Sequence, residues 1–488
     1  MENLDRDLQS IQEVRNLVRE AKQAQNALAA FSQERIDGIV AAIAGVGVDN
    51  AAELARLAHE ETGFGIVEDK VIKNIFASQS VYDSIKDMKT VGVINEDKGD
   101  RVVEIAVPMG VVAGIIPSTN PTSTVIYKAM ISIKSGNSIV ISPHPGARKC
   151  ILRTAEIIRA AAEEAGCPKG AIGCIELSTI ESTNELMKQA DIILATGGSA
   201  MVKSAYSSGT PAIGVGPGNG PAFIEKTADI KLAVKRILDS KTFDYGTICA
   251  SEQSIVTETC IKEQVVEELI RQGAYFLKDD EKEKVSGVLM RANGTMNPQI
   301  VGKSPQHIAN LAGIKIPDTA RVLVGIEDSV GSKAPFSKEK LCPVLAFYVE
   351  EDWQSACDKC IQILENEGAG HTMMIHSNDE SIIREFALKK PVSRILVNTP
   401  GSLGGVGAST NLVPALTLGC GTVGGSSTSD NIGPQNLMNI RRVGYGVRER
   451  EDVEAAVKVG EGPSAPGDGS AEIVNAVLNK VMERLKEI

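Results

Sequence analysis

Histidine is scarce in this chain of 488 residues: there are five, at positions 59, 144, 307, 371 and 376. No pair has metal-ligand spacing beside a suitable cysteine or acid, so no metal centre is expected. Basic charge is also short. Lys and Arg number 51 against 62 Asp and Glu, a net charge of −11. Nucleic acid and anionic membrane surfaces both need a basic face, so neither is an expected partner. There is no G-x-x-x-x-G-K-[ST] loop to support nucleotide hydrolysis. Unbroken apolar runs are missing too. The uncharged stretch 105–127 contains Pro108, Gly110, Gly114, Pro117 and Pro121. It reads as strand, loop and helix start rather than a membrane span. The opening MENLDRDLQS lacks the apolar run of a secretory leader. The nine cysteines are odd in number and have no disulfide-like spacing. A soluble cytoplasmic protein is expected.

What is present is strand–helix alternation. Leu4, Leu8, Ile11, Val14, Leu17 and Val18 recur at helical spacing, and residues 4–60 read as helices. VGVINEDKGDRVVEIAV, residues 91–107, reads as a β-hairpin around a charged turn. From there VVAGII, SIVIS, AIGCIEL, DIILAT, AIGV and PAFIEK read as strands with helices between them. SIVTE, VLAFYVE, TMMIHS and RILVNT continue the style. Such alternation predicts an α/β fold with a doubly wound parallel sheet. The stretch 395–429 carries no charge and is rich in Gly, Ser and Thr. It reads as buried loop near a site or a subunit contact. GEGPSAPGDGS after Val459 reads as a linker.

Gly419-Cys420-Gly421-Thr422-Val423-Gly424 matches G-x-G-x-x-G literally. Gly425 and serines follow instead of a helix, and no acid stands about twenty residues on, so the match is taken as coincidence. ILATGGSAMVKSAY is a strand, a turn and a helix start, whose backbone N–H groups can face a pyrophosphate. Cys357 and Cys360 form a lone C-x-x-C and read as a pair on a helix surface. Cys150, Cys167, Cys174, Cys260 and Cys342 read as structural. Cys249 differs: it stands in a turn before a strand, in TFDYGTICASEQSIVTE, where a thiol can serve as a nucleophile.

Read together, IIPSTNPTSTVIYK, IVISPHP, ILATGGSAMVKSAYSSG, PAIGVGPGN, KTFDYGTICASEQS, EKLCPVLA and NLVPALTLGCG fall in a recognisable order. The chain resembles the CoA-acylating branch of the aldehyde dehydrogenase superfamily over roughly residues 1–445. That resemblance implies a nucleotide-binding domain over 1–222 with the 91–107 hairpin for oligomerisation. A catalytic domain over 223–412 and a return segment over 413–445 would follow. Cys249 would attack the aldehyde, and Asn120 would stabilise the oxyanion. Cofactor contacts would come from Pro117, Thr119, Ser142, Pro143, His144, Pro145, Gly197, Gly198, Ser199, Val202, Gly216, Glu339 and Pro343. Glu339 would bind the nicotinamide ribose.

Two departures from the hydrolytic members bear on the reaction. Those enzymes carry a water-activating Glu 34 residues before the nucleophile, and Val215 stands there here. Without a positioned base, water attack on a thioester should be slow, which favours coenzyme A as acyl acceptor. Where they carry a ribose-binding Lys, this chain has Ser142, followed by Pro-His-Pro. His371 matches a histidine of the acylating branch. It either helps deprotonate the CoA thiol or simply bonds a loop carbonyl, and the sequence leaves both open.

The resemblance therefore implies NAD as cofactor, CoA as co-substrate and a short-chain aldehyde such as acetaldehyde or propionaldehyde. Sulfoacetaldehyde, hydrolytic oxidation and a non-enzymatic scaffold are the alternatives. A homodimer or homotetramer is expected. In the tail, Ile473, Val477, Val481 and Leu485 form an i, i+4 stripe behind the linker. Lys480, Arg484 and Lys486 balance Glu472, Glu483 and Glu487. The segment 470–488 resembles the peptides that carry enzymes to the shell protein of a bacterial microcompartment; a helix docked on its own subunit or a frayed tail is the alternative.

Overall fold

The computed structural model describes residues 5–454. The linker after Val459 and the helix expected over 470–488 lie outside the described residues. Helices Arg6–Leu28, Gln33–Asp49 and Ala51–Thr62 open the chain, as the apolar spacing predicts. Val14, Val18 and Ala21 of the first, and Ile36, Ile39, Val40 and Ile43 of the second, form their buried faces.

Fifteen strands follow among the described residues. They are β1 Gly92–Asp97, β2 Val102–Pro108, β3 Val111–Ile116, β4 Ser138–Pro143 and β5 Ile172–Cys174. Next come β6 Ile192–Thr196, β7 Ala212–Val215, β8 Gly220–Ile224, β9 Glu252–Glu258 and β10 Ala274–Phe276. The last are β11 Val322–Ile326, β12 Val344–Glu350, β13 Gly370–His376, β14 Val392–Val397 and β15 Met438–Gly444.

Two parallel sheets organise the larger of two compact units, residues 1–94 and 106–440. The first has the order β5-β4-β3-β6-β7 and the second β10-β11-β12-β9-β8-β13-β14. Both are buried on two faces, which explains the near-continuous apolar strands. In the first sheet Val112, Ile139, Ile141, Ile192 and Leu194 pack into one core. Their neighbours Val111, Ala113, Val140, Ile193 and Ala195 pack into another, following the two-residue period of a strand. In the second sheet Phe223, Val256, Leu323 and Val344 face one way. Ala222, Ile224, Ile255, Val322 and Leu345 face the other.

The strand Gly220–Ile224 pairs with β9 and β13, so it belongs to the second sheet. The expected boundary at 222 therefore falls inside a strand, and the chain passes between sheets at 216–219. Residues 413–437 return to the first sheet's helix Pro121–Lys134. There the Tyr127 hydroxyl donates to the Ile432 carbonyl at 2.5 Å, and Asn137, just beyond the helix, donates to Leu437 at 2.7 Å. β1, β2 and β15 form a three-stranded sheet in that order. Among the described residues the smaller unit is 95–105 with 441–454. Within it Arg442 pairs with Glu104 at 3.0 Å.

Among the described residues no single helix is long and apolar enough to cross a membrane. No group of three or more His, Cys, Asp or Glu there could hold a metal ion. All nine cysteines are free. Cys357 and Cys360 are buried, not on a helix surface, because their helix, Trp353–Asn366, turns that face to the core. There a thiol packs as a small apolar group. Cys260, expected to be structural, is exposed.

Candidate active site

The first sheet reverses its winding between β3 and β6. β4 and β5 lie to one side of that pair and β7 to the other. In a doubly wound sheet the crevice at such a point, beyond the strand C-termini, takes a ligand. Here it is bordered by Pro117–Asn120 after β3 and by Thr196–Ser199 after β6. The helix Ser199–Ser207 begins at this edge, with Gly198 at its N-cap and no side chain capping it. Gly198 and Ser199 are exposed, and the space beside Gly198 is open, as is that beside Gly216. An uncapped helix start in this crevice suits the pyrophosphate of a dinucleotide.

Not every expected cofactor residue faces that crevice. Ser142 is 2 % exposed and its hydroxyl is bonded to Thr183 at 2.9 Å, so it is turned inward. Pro343 is buried and its carbonyl accepts from Leu323 N at 3.0 Å, which makes it a strand-entry residue. Pro143 is buried, whereas His144 and Pro145 are exposed beyond β4. Val202 is half-buried on the helix that starts at the crevice.

The second sheet contributes from the opposite strand ends. Cys249 precedes β9, Glu339 precedes β12, His371 opens β13 and Gly218 precedes β8. Residues 216–219 thus join the C-terminal ends of one sheet to the N-terminal ends of the other. Two close approaches require glycine. A Cβ at Gly218 would lie 2.1 Å from the Cys249 carbonyl oxygen. One at Gly370, where φ is +82°, would lie 1.9 Å from the Cys420 carbonyl oxygen. The second contact brings the uncharged 395–429 stretch against the residue before His371.

At the centre, His371 Nε2 lies 3.2 Å from Cys249 Sγ. His371 Nδ1 lies 2.9 Å from the Thr372 hydroxyl, which fixes the ring. Burial, with the Arg394 cation in support, brings the imidazole down to about 3. Burial first, then the Glu339 charge, pushes the Cys249 thiol up to about 12. Both groups are therefore neutral at pH 7. The Glu339 carboxylate accepts from Gly218 N at 2.9 Å. Burial, with Glu367 beside it, pushes Glu339 up to about 8. Val215 closes β7 opposite Thr196, so an apolar side chain stands at that position.

Asn120 occupies the N-cap position of Pro121–Lys134 but does not cap that helix. Pro121 supplies the helix start instead, and the Asn120 side chain is used elsewhere. Its Nδ2 donates to the Thr247 carbonyl at 3.3 Å and lies 3.2 Å from the Thr119 hydroxyl. Its Oδ1 accepts from Lys73 Nζ at 2.6 Å. This places the amide beside the turn that carries Cys249.

A group the sequence reading missed lies beneath that turn. Asp244 is fully buried and bonded to Lys73, to Lys70 at 2.9 Å and to Ile66 N at 2.7 Å. Burial opposes its charge, but Lys73 and Lys70 outweigh it and hold the carboxyl below its ordinary range. Asp244, Tyr245 and Gly246 have φ of +48°, +50° and +74°, three left-handed residues in succession. For a residue such as Tyr245 that conformation costs roughly 1–2 kcal/mol. The bonds to Asp244 hold the turn in place. Lys70 and Lys73, three apart in VEDKVIKN, carried the available signal: one helix face with two lysines and an acid elsewhere to receive them.

A doubly wound sheet with a crevice for a dinucleotide, joined through 216–219 to strand entries that carry a Cys–His pair, is the architecture of aldehyde dehydrogenases. The chain belongs to the aldehyde dehydrogenase family, whose sequence profile matches residues 7–411. It is 46 % identical over 441 residues to the bifunctional aldehyde-alcohol dehydrogenase AdhE of Escherichia coli (strain K12). That match takes in 89 % of this chain and 49 % of the relative, so the chain spans about half the relative's length. An acetylating aldehyde dehydrogenase from Geobacillus thermoglucosidasius is 55 % identical, with a TM-score of 0.90 over 91 % of this chain and 99 % of that one. A propionaldehyde dehydrogenase from a Clostridium phytofermentans fucose-utilisation microcompartment is 26 % identical, with a TM-score of 0.80 over 89 % and 98 %.

Proposed function

We propose that this chain is a CoA-acylating aldehyde dehydrogenase that converts a short-chain aldehyde and CoA to an acyl-CoA through a thioester on Cys249. The observation that carries the reading is the Cys249–His371 contact at 3.2 Å, with a buried apolar Val215 at the position 34 residues before the cysteine. A bound nicotinamide dinucleotide, proposed to be NAD, would supply the hydride acceptor. Gly197, Gly198 and Ser199 would hold its pyrophosphate, and Glu339 its nicotinamide ribose.

The neutral forms of Cys249 and His371 decide how the thiol is activated. A thiol at about 12 beside an imidazole at about 3 does not preform an ion pair. The proton therefore moves from Sγ to Nε2 as the carbon–sulfur bond forms, when the sulfur charge is being consumed. Asn120 Nδ2 donates to the developing alkoxide. Loss of hydride from that carbon leaves the Cys249 thioester. His371 gives up the first proton to solvent, takes the CoA thiol proton as the CoA sulfur attacks, and passes it to Cys249 Sγ as that sulfur departs. Val215 offers no base to water, so the thioester persists until a thiol arrives.

Intact-mass measurement tests this directly. With acetaldehyde and NAD but no CoA, the chain should gain one acetyl group on Cys249, and added CoA should discharge it as acetyl-CoA. Prompt release of acetate without CoA would contradict the reading. A comparison of kcat/KM for NAD and NADP tests the cofactor choice. Assembly through the β1-β2-β15 sheet and delivery to a microcompartment shell by 470–488 are part of the same proposal. They are supported by the exposure of β1 and β15 and by the apolar stripe of the tail sequence.

A further inference from the structure

Lys73 has no place in the chemistry above, yet the residue is only 4 % exposed and its ammonium bonds the oxygen of the amide proposed to hold the oxyanion. Its three N–H groups have three acceptors: the Asp244 carboxylate, the Thr247 hydroxyl at 2.9 Å and Asn120 Oδ1 at 2.6 Å. The Phe243 ring covers it at 5.8 Å. An ammonium can only donate, so it faces the oxygen of an amide and repels the NH2. A flipped Asn120 would set two donors against each other in a buried place and lose its strongest bond. The contacts left to Nδ2, at 3.2 and 3.3 Å, are long by comparison, so its hydrogens remain available to a stronger acceptor.

Resting on the acyl-transfer reading, we propose that Lys73 is a positioning residue. Held by Asp244 and Thr247, it locks the Asn120 amide with Nδ2 toward the reacting carbonyl. The same buried cluster bonds the turn that carries Cys249, since Thr247 stands two residues before it and its hydroxyl donates to Asp244 at 2.8 Å. One cluster thus fixes the oxyanion donor and the nucleophile's loop relative to each other. Burial lowers Lys73 to about 8 even against the attraction of Asp244. Its charge is therefore maintained by that partner and not by solvent.

The test is a double-mutant cycle on the full chain, reading the first-turnover NADH burst with acetaldehyde, NAD and CoA. Removal of an oxyanion donor costs about 10²–10³-fold. Lys73→Met, which leaves Asn120 free to flip, should slow the burst by about 10- to 100-fold, with aldehyde KM changed by less than about 3-fold. Alkylation of Cys249 by iodoacetamide should change little, because Lys70, Ile66 N and Thr247 still bond Asp244 and hold the turn. In an Asn120→Ala background Lys73→Met should cost little more, because the residue it positions is gone. Lys73→Gln, which keeps a donor for Oδ1, should recover part of the loss. A wild-type burst in Lys73→Met, or the same loss with and without Asn120, would overturn the inference. A wild-type burst in Asn120→Ala alone would overturn the oxyanion reading beneath it. Should Lys73→Met fail to fold by its Tm, Thr247→Val removes one of the lysine's holders and keeps the carbonyl that Asn120 contacts. It should slow the burst several-fold, and only when Asn120 is present; an equal loss in both backgrounds overturns the inference.

Discussion

Cys249 is held as a thiol by its surroundings, and two neighbours bear on its reactivity, Glu339 through its charge and His371 through its contact with the sulfur. Burial is the larger cause, and the Glu339 carboxylate adds to it by opposing a second negative charge. Glu339→Gln removes that charge. Iodoacetamide should then alkylate Cys249 a few-fold faster at pH 9, since half a pKa unit is about 3-fold. The gap from wild type should close as pH falls through about 8, where the native carboxyl takes up its own proton. His371 is the other neighbour. With its imidazole brought down to about 3, it is a neutral acceptor across the working range. His371→Ala should lower the burst rate by about 10²-fold or more, the worth of a positioned base. A fall of less than about 3-fold, in a stopped-flow burst at pH 7, would remove it from that role.

The turn Asp244–Gly246 is the element that presents the nucleophile, and its stability is a charge question. Asp244→Asn leaves Lys70 and Lys73 buried without their carboxylate, a loss of about 3–5 kcal/mol for a broken buried pair. The native carboxyl is held below its ordinary range. Its stabilisation is therefore present above about pH 4 and is lost as pH falls through the lowered value. The Tm of Asp244→Asn should lie well below wild type at pH 7 and approach it in acid. Much at this scale was legible. TFDYGTICASEQ set Cys249 in a turn before a strand, and ILATGGSAMVK gave the β6 end and helix start. The misses have physical causes. β10, three residues long, and β11 lacked a signal strong enough to single out. Asp244 and the lysines of VEDKVIKN look solvated in sequence, because only a contact 171 residues away buries them. Ser142 stood where the resemblance set a cofactor contact, but its bond to Thr183 could not be read along the chain.

At the scale of the whole molecule, the chain joins two parallel sheets head to tail through 216–219. The dinucleotide crevice of one thereby opens on the strand entries that carry Cys249, Glu339 and His371. Val215 and Gly218 stand at that junction, so the residue proposed to deny water a base lies at the passage between the sheets. Deletion of 460–488 should leave turnover intact and abolish co-localisation with shell protein in cells. Loss of turnover would assign the tail to the enzyme itself. The central claim is that a thiol, not water, completes the reaction. The most direct test is steady-state NADH formation from acetaldehyde and NAD, with and without CoA, with product identified. The account predicts turnover only with CoA and acetyl-CoA as product. Equal rates without CoA, yielding acetate, would contradict it.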